Sequence, residues 1–382
     1  MRILFCLDTT FSKMNGGIAS VSLSLKEGME HRGHKCYMLS AKKNREDSSA
    51  DQYYLPQASS DFRVDENRNW FRDFVKKKNI EVIINQNGAT PKSIWPLEWS
   101  KDLSIRRLTV YHSDLFSLWS CHKEFLMENV IVKVLHLEPL VNGLWKRLFR
   151  VKYKSWLRKH HRLSDRIVFI TNKYYSGFEW FSGIKTDNRF VAIYNPIEDI
   201  YALETEDFLK ENMVLFVGRL SKEKQINYLL KIWKDVTKMF PDWNLVIVGD
   251  GPMKKFYESI MPDYQLNNVF FEGYQSPLNY YKRAKIFCLT SSVEGFSLVL
   301  VEAMGCKCVP VAFNSYACAS DIIDDKKCGF LIEPFDTEAY VQQLSLLMRD
   351  DALRQCMAEE GKKKVQLFSL DNIINEWENL FM

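Results

Sequence analysis

Short, almost continuously apolar runs recur along this 382-residue chain, separated by segments in which apolar residues return every three or four positions. In the first half the runs Arg2 to Asp8, Lys35 to Ala41, Glu81 to Asn85, Leu108 to His112, Arg166 to Thr171 and Phe190 to Tyr194 have the length and composition of buried strands. Ile18 to Arg32 and Trp70 to Lys78 have helical spacing, and Gly33 suits the C-cap of the first helix. Asn15-Gly16-Gly17 reads as a glycine turn between the first strand and that helix, and the polar, irregular stretch Lys42 to Asn67 as a surface excursion. Strands that alternate with helices in this way predict a mainly parallel sheet covered on both faces.

Asn195-Pro196 and the polar stretch Glu198 to Asn212 interrupt the rhythm, which then restarts with strands at Val214 to Val217, Leu245 to Val248, Val269 to Glu272, Ile286 to Leu289, Val309 to Ala312 and Phe330 to Ile332. The expected architecture is α/β: two doubly wound, Rossmann-like parallel-sheet domains, 1–196 and 197–366, with a closing segment 367–382. Ligands of such sheets bind outside the carboxyl ends of the strands. In the second domain those ends are followed by Gly218-Arg219-Leu220, Gly249-Asp250-Gly251-Pro252, Gly273-Tyr274 and Ser291 to Gly295.

The stretch Thr290 to Cys308 carries the most chemistry. Glu294 stands in a loop, whereas Glu302 stands among Leu298, Val299, Leu300, Val301, Ala303 and Met304. A carboxylate buried in that company costs several kcal/mol, roughly, unless a ligand or a protein donor meets it. The backbone of Gly295, Phe296 and Ser297 would open the helix, and its unpaired N–H groups suit a phosphate as well as they suit water. Arg219 and Lys224 follow a strand end, where they can converge on a diphosphate or remain two solvated cations.

Composition narrows the classes. The net charge of +4 is too small for wholesale nucleic-acid binding. Nine cysteines without a C-x-x-C pair point to reduced, packed thiols in a cytoplasmic protein. Cys306 and Cys308 have no further ligand at metal spacing. The N-terminal run ends at Asp8, too soon for a signal peptide, and nothing approaches the ~20 apolar residues of a membrane span.

Taken together, V-G-R-L-S-K-E-K at Val217, V-G-D-G-P at Val248 and S-S-V-E-G-F-S-L-V-L-V-E-A-M at Ser291 resemble the nucleotide-sugar domain of the retaining glycosyltransferases of family four, which have the two-domain GT-B fold with a central cleft. Gly16-Gly17, Arg32-Gly33-His34 and Asn195-Pro196 extend the resemblance over nearly the whole chain. It implies an enzyme that moves a hexosyl-type unit from a nucleotide diphosphate sugar, UDP favoured, to a glycan or glycolipid hydroxyl, with retention and without a metal or other cofactor. The setting it implies is capsule, exopolysaccharide or lipopolysaccharide assembly. By the same resemblance, Arg219 and Lys224 hold the diphosphate, Glu302 the ribose and Glu294 the transferred sugar, with Gly249, Gly295, Phe296 and Ser297 beside them. Gly16 and Gly17 let the backbone approach the phosphates, and His112 is the active-site histidine, with His136 its competitor.

This chain also departs from the family's pattern. Gln225 and Lys307 stand where glycines are frequent, and Asn314-Ser315-Tyr316-Ala317 replaces a Gly-Gly pair, with Asp321 at an expected acidic position. Sugar epimerases of the same fold lack the series Arg219, Lys224, Glu294, Glu302, and a phosphorylase needs a pyridoxal phosphate lysine that is not identifiable. A catalytically silent nucleotide-sugar binder is the alternative of another class, with loss of the cationic pair as its signature. Leu370 to Phe381 reads as an amphipathic last helix that in the family crosses back onto the first domain. Trp145 to Arg162, with eight Lys and Arg and no acid, reads as a helix with an apolar arc of Trp145, Leu148, Phe149 and Trp156: either a contact with an anionic membrane surface or a helix that covers the first sheet, its aromatics core and its charges in water.

Overall fold

The computed structural model describes residues 1–12, 16–43, 52–57, 62–88, 90–117, 119, 138–202, 209–266 and 268–381. It divides into two compact units, one of Met1–Pro196 with Ile373–Met382 and one of Ile197–Asn372. Each unit is built on one sheet.

The first sheet contains β1 (Arg2–Leu7), β2 (Lys35–Ser40), β3 (Gln52–Tyr54), β4 (Val82–Asn85), β5 (Arg106–Tyr111), β6 (Arg166–Phe169) and β7 (Phe190–Ala192), in the order β3-β2-β1-β4-β5-β6-β7. Every pairing is parallel, with Ile3 beside Cys36 on one side and beside Val82 on the other. A strand covered on both faces gains nothing from alternation, which is why R-I-L-F-C-L is buried at all but its first position. Helix α1 (Gly17–His31) begins at Gly16, whose φ of 97° lies in the left-handed region, and ends before Gly33, φ 84°.

The polar stretch expected to be a surface excursion hides two elements. β3 adds an edge strand whose Gln52 side chain holds the Phe11 backbone from both sides, at 3.0 Å and 2.8 Å. Helix α2 (Asp65–Lys77) starts five residues earlier than its apolar spacing suggests, with Asp65 and Glu66 in the first turn, where the helix dipole favours acid. α3 (Trp95–Trp99), α4 (Glu138–Leu163) and α5 (Tyr175–Ser182) are further helices of this unit.

The second sheet contains β8 (Glu211–Val217), β9 (Asn244–Val248), β10 (Val269–Gly273), β11 (Ala284–Leu289), β12 (Val309–Phe313) and β13 (Phe330–Ile332), in the order β10-β9-β8-β11-β12-β13, again all parallel. Its helices include α6 (Asp199–Ala202), α7 (Ile226–Val236), α8 (Lys254–Tyr264), α9 (Leu278–Arg283), α10 (Leu298–Gly305), α11 (Ala319–Ile322), α12 (Thr337–Arg349) and α13 (Asp351–Val365). α14 (Leu370–Asn379) carries the chain into the first unit. In both sheets the strand order reverses beside the first strand, between β1 and β4 and between β8 and β11. In doubly wound sheets the loops flanking such a reversal form the binding crevice.

Candidate active site

The carboxyl ends of β8 and β11 lie at the second reversal, and their loops carry Arg219, Lys224 and Glu294. The loop after β8 is locked against the loop after β9. A Cβ on Gly249, φ 145°, would lie 1.9 Å from the Gly218 carbonyl oxygen, and one on Gly251 would lie 2.5 Å from that of Leu220. The Leu220 N–H donates to the Asp250 carbonyl at 2.9 Å. Arg219 is left exposed on this platform.

Downstream, Lys222–Lys224 forms a single 3-10 turn that Gln225 ends in the left-handed conformation, φ 51°. The loop after β11 is zipped to it: the Ser292 N–H donates to the Glu223 carbonyl at 2.8 Å, and the Thr290 hydroxyl donates to the carbonyls of Lys224 and Gln225 at 3.1 Å. The consequence is chemical. The Lys224 ammonium donates to Glu294 Oε1 at 2.5 Å, and the Ser291 hydroxyl donates to the same oxygen at 2.7 Å. Cation and carboxylate are thus held together, mostly shielded from water, in a loop pair that projects from neighbouring strands.

Gly295 and Phe296 follow, the Phe296 ring packing edge-on against Phe368 at 5.6 Å. Ser297 is the N-cap of α10, which begins one residue later, and its buried hydroxyl does not cap it. Tyr316 packs beside this group; burial first, and the Glu294 carboxylate second, push its phenol well above the usual range. The hydroxyls of Ser297 and Tyr316 face each other without meeting at hydrogen-bond geometry, and neither has another partner among the described residues. Ser315 ties the same segment to the Glu294 loop, its hydroxyl donating to the Ser291 carbonyl at 2.5 Å.

Glu302 belongs to a different group. The Tyr281 hydroxyl donates to Glu302 Oε2 at 2.9 Å, so the demand raised by a carboxylate on an apolar helix is met inside the protein. Burial, with Glu302 next, raises the phenols of both Tyr281 and Tyr201.

In the first unit, Gly16 and Gly17 stand at the start of α1 with open space where a Cβ would point. His112 follows β5 and is 7% exposed. Its Nε2 lies 2.7 Å from Gln86 Oε1. Burial, partly offset by the Asn195 side chain, lowers its pKa to about 4. Asn15 and His136 lie outside the described residues.

Residues 203–364 match the family model of the glycosyl transferases group 1, nearly the whole of the second unit. That unit is similar to the group 1 glycosyl transferases along almost its whole length. An uncharacterised glycosyltransferase of Haemophilus influenzae is 30% identical to this chain over 56% of it and 61% of that relative. An alpha-1,4-N-acetyl-D-galactosaminyltransferase of Campylobacter jejuni, whose name specifies a PP-undecaprenol-linked substrate, is 30% identical over 45% of this chain and 48% of its own. The chain therefore spans about half the length of the curated relatives it matches. Anabaena HepE, solved in complex with UDP, superposes with a TM-score of 0.77 over 100% of this chain and 99% of its own, at 15% identity. That likeness is one of fold, and the fold is GT-B.

Within the second unit, both departures from the glycines of the family's pattern keep a glycine's backbone. Gln225 and Lys307 have φ of 51° and 59°, a region where a side chain is tolerated at a cost. Tyr281, Tyr316 and, in the first unit, Gln86 are contributors whose pairing the sequence did not give, each reaching its partner from a distant element, while Ser291 reaches Glu294 from within the same loop.

Proposed function

We propose that the chain is a retaining glycosyltransferase that moves a hexosyl-type sugar from a UDP-sugar to a hydroxyl of a lipid-linked or growing surface glycan, without a metal, at the cytoplasmic face of a membrane. The observation that carries this reading is the shielded Lys224–Glu294 contact at the carboxyl ends of β8 and β11, beside the exposed Arg219. Arg219 and Lys224 supply the positive charge that a departing diphosphate needs, which is the electrostatic part of the catalysis. Glu294, oriented by Lys224 and Ser291, accepts hydrogen bonds from hydroxyls of the transferred sugar, and the hydroxyls of Ser297 and Tyr316 are further sugar partners.

Glu302 shares its carboxylate between Tyr281 and the ribose, while Gly249, Gly295 and Phe296 line the nucleotide side. The leaving phosphate takes the acceptor's proton, so no side chain has to act as a nucleophile. His112, neutral near pH 7, contributes hydrogen bonding and no charge. The PP-undecaprenol in the name of the Campylobacter relative supports a lipid-linked acceptor.

Thermal unfolding with UDP, GDP and ADP, followed by UDP release from UDP-sugars in excess chelator, tests the reading. UDP should stabilise the fold by mass action, and turnover should persist with the chelator present. Arg219→Ala and Lys224→Ala should each slow turnover on the order of a hundredfold with folding intact. Near-native turnover of either variant at saturating donor overturns the diphosphate assignment, and loss of activity that manganese or magnesium restores overturns the metal-free mechanism.

A further inference from the structure

Helix α4 turns out to have its apolar residues on two faces: of the arc expected to meet lipid, Phe149 and Trp156 are buried and Leu148 is exposed. Phe149, Tyr153, Trp156, Leu157 and His160 are buried in the first unit, Phe149 packing edge-on against Phe181 at 5.3 Å. Lys146 and Arg150 are also turned inward: Lys146 Nζ lies 4.7 Å from the Trp180 ring centre and 5.1 Å from that of Phe116, and the Arg150 guanidinium lies 4.9 Å from Trp180. On the opposite side Leu144, Leu148 and Val151 are 58%, 52% and 73% exposed, at the i, i+4, i+7 spacing of one stripe. Arg147, Lys152, Arg158 and Arg162 are exposed along the same helix, and no acid falls between Trp145 and Arg162. Farther along the same helix, from Val151 to Arg162, lies an open groove of about 430 Å³ lined by Val151, Lys154, Ser155, Arg158, Lys159 and Arg162.

We propose that this outward face of α4 docks on an anionic phospholipid bilayer, with Leu144, Leu148 and Val151 entering the acyl boundary and the Lys154, Arg158 and Arg162 cleft taking a lipid phosphate. The proposal rests on the membrane part of the reading above and is independent of the transfer chemistry. Charge selects this occupant. A second copy docking through the same face would set basic side chains against basic side chains, a repulsion that an anionic surface reverses. A nucleic-acid backbone would meet the cations but leave three large aliphatic side chains against phosphates. A bilayer satisfies both halves of the face, since its headgroups are anionic and its boundary is apolar. A guanidinium fork also matches a phosphate in geometry.

The test is sedimentation with vesicles of phosphatidylcholine alone or with phosphatidylglycerol, over a range of salt. The protein should pellet with the anionic vesicles and less so as salt rises. Arg147→Glu, Lys152→Glu and Arg162→Glu together should lower the partition coefficient on the order of a hundredfold or more, at roughly a factor of five for each basic residue removed. Leu144→Ser, Leu148→Ser and Val151→Ser together should lower it at least about tenfold. All six side chains are exposed, so both variants should keep the wild-type melting temperature and its shift with UDP. Pelleting that is absent, equal on neutral and anionic vesicles, or unchanged in both variants overturns the proposal. So does a dimer in size-exclusion chromatography that the serine variant disperses, because the face is then a contact between copies. Loss of the UDP shift with vesicle binding intact would count against the donor site and leave this face standing.

Discussion

His160 is fully buried on α4 between Trp156 and Tyr111, and neither of its ring nitrogens has a hydrogen-bond partner among the described residues. Burial, with Lys159 adding to it, lowers its pKa to about 3, and burial lowers that of His112 to about 4. A histidine whose folded pKa lies below its unfolded value of about 6.5 contributes stability that is complete above that pH and is lost as pH falls toward the folded value. Each of these two should therefore cost about 1.4 kcal/mol per pH unit, His112 down to about pH 4 and His160 about a unit further. His160→Phe keeps a ring in the same aromatic setting and removes one of the two slopes. Its midpoint of acid unfolding, followed by circular dichroism, should move to lower pH while its stability near pH 7 changes little. An unchanged midpoint would mean that His160 is already protonated in the fold.

Residue chemistry was legible where a motif sits on one loop and hidden where its partner arrives from elsewhere. Arg219, Lys224 and Glu294 could be read because each follows a strand end within a few residues. That Glu302 needed a donor was also legible, but Tyr281, 21 residues upstream, could not be named, because sequence spacing does not encode which distant side chain a fold delivers. Gln86 on His112 and Tyr316 beside Glu294 were hidden for the same reason.

At the scale of elements, the strands could be read because a parallel strand buried on both faces is a continuous apolar run. β3 was missed because Q-Y-Y is an edge strand, half-buried throughout and flanked by polar residues. α4 was read as a helix whose arc of Trp145, Leu148, Phe149 and Trp156 either met a membrane or packed as core; Phe149 and Trp156 are core and Leu148 is exposed. Its aromatics serve the core, and only burial separates Phe149 from Leu148. The interlocked loops after β8 and β9 give this scale its prediction. Gly249→Ala drives a methyl into the Gly218 carbonyl and should cost about 1–3 kcal/mol, the usual penalty of overpacking. It should also weaken the melting-temperature shift with UDP, because the loop it displaces carries Arg219. Gly33→Ala is the control: φ is 84° but the space is open, so only backbone strain of about 1 kcal/mol is added and the UDP shift should remain. Equal shifts in the two variants would separate this loop pair from the nucleotide.

For the whole molecule, the chain passes between its two units twice, after Pro196 and after Asn372, so the last ten residues stabilise the first unit while the stretch just before them belongs to the second. The Ile197 N–H donates to the Phe368 carbonyl at 3.0 Å within the second unit. Beyond Asn372, Ile373, Ile374, Trp377 and Phe381 are buried, Glu378 accepts from His34 Nε2 at 2.9 Å, and Arg106 Nη1 donates to the Leu380 carbonyl at 2.9 Å. At roughly 1.5–3 kcal/mol for each large apolar side chain buried, removing them should cost on the order of 5 kcal/mol or more. That is comparable to the whole stability of an ordinary domain, so a chain ending at Asn372 should lose the first unit and keep the second. Hydrogen exchange would show this as early exchange of β1, β2 and β5 with β8 and β11 still protected. UDP should raise the protection of the second unit in the truncated chain as it does in the full one, because Lys224, Glu294 and Glu302 are all supported from within Ile197–Asn372. Loss of protection in both sheets at once would mean that the two units fold as one, and the nucleotide site would then depend on the last helix.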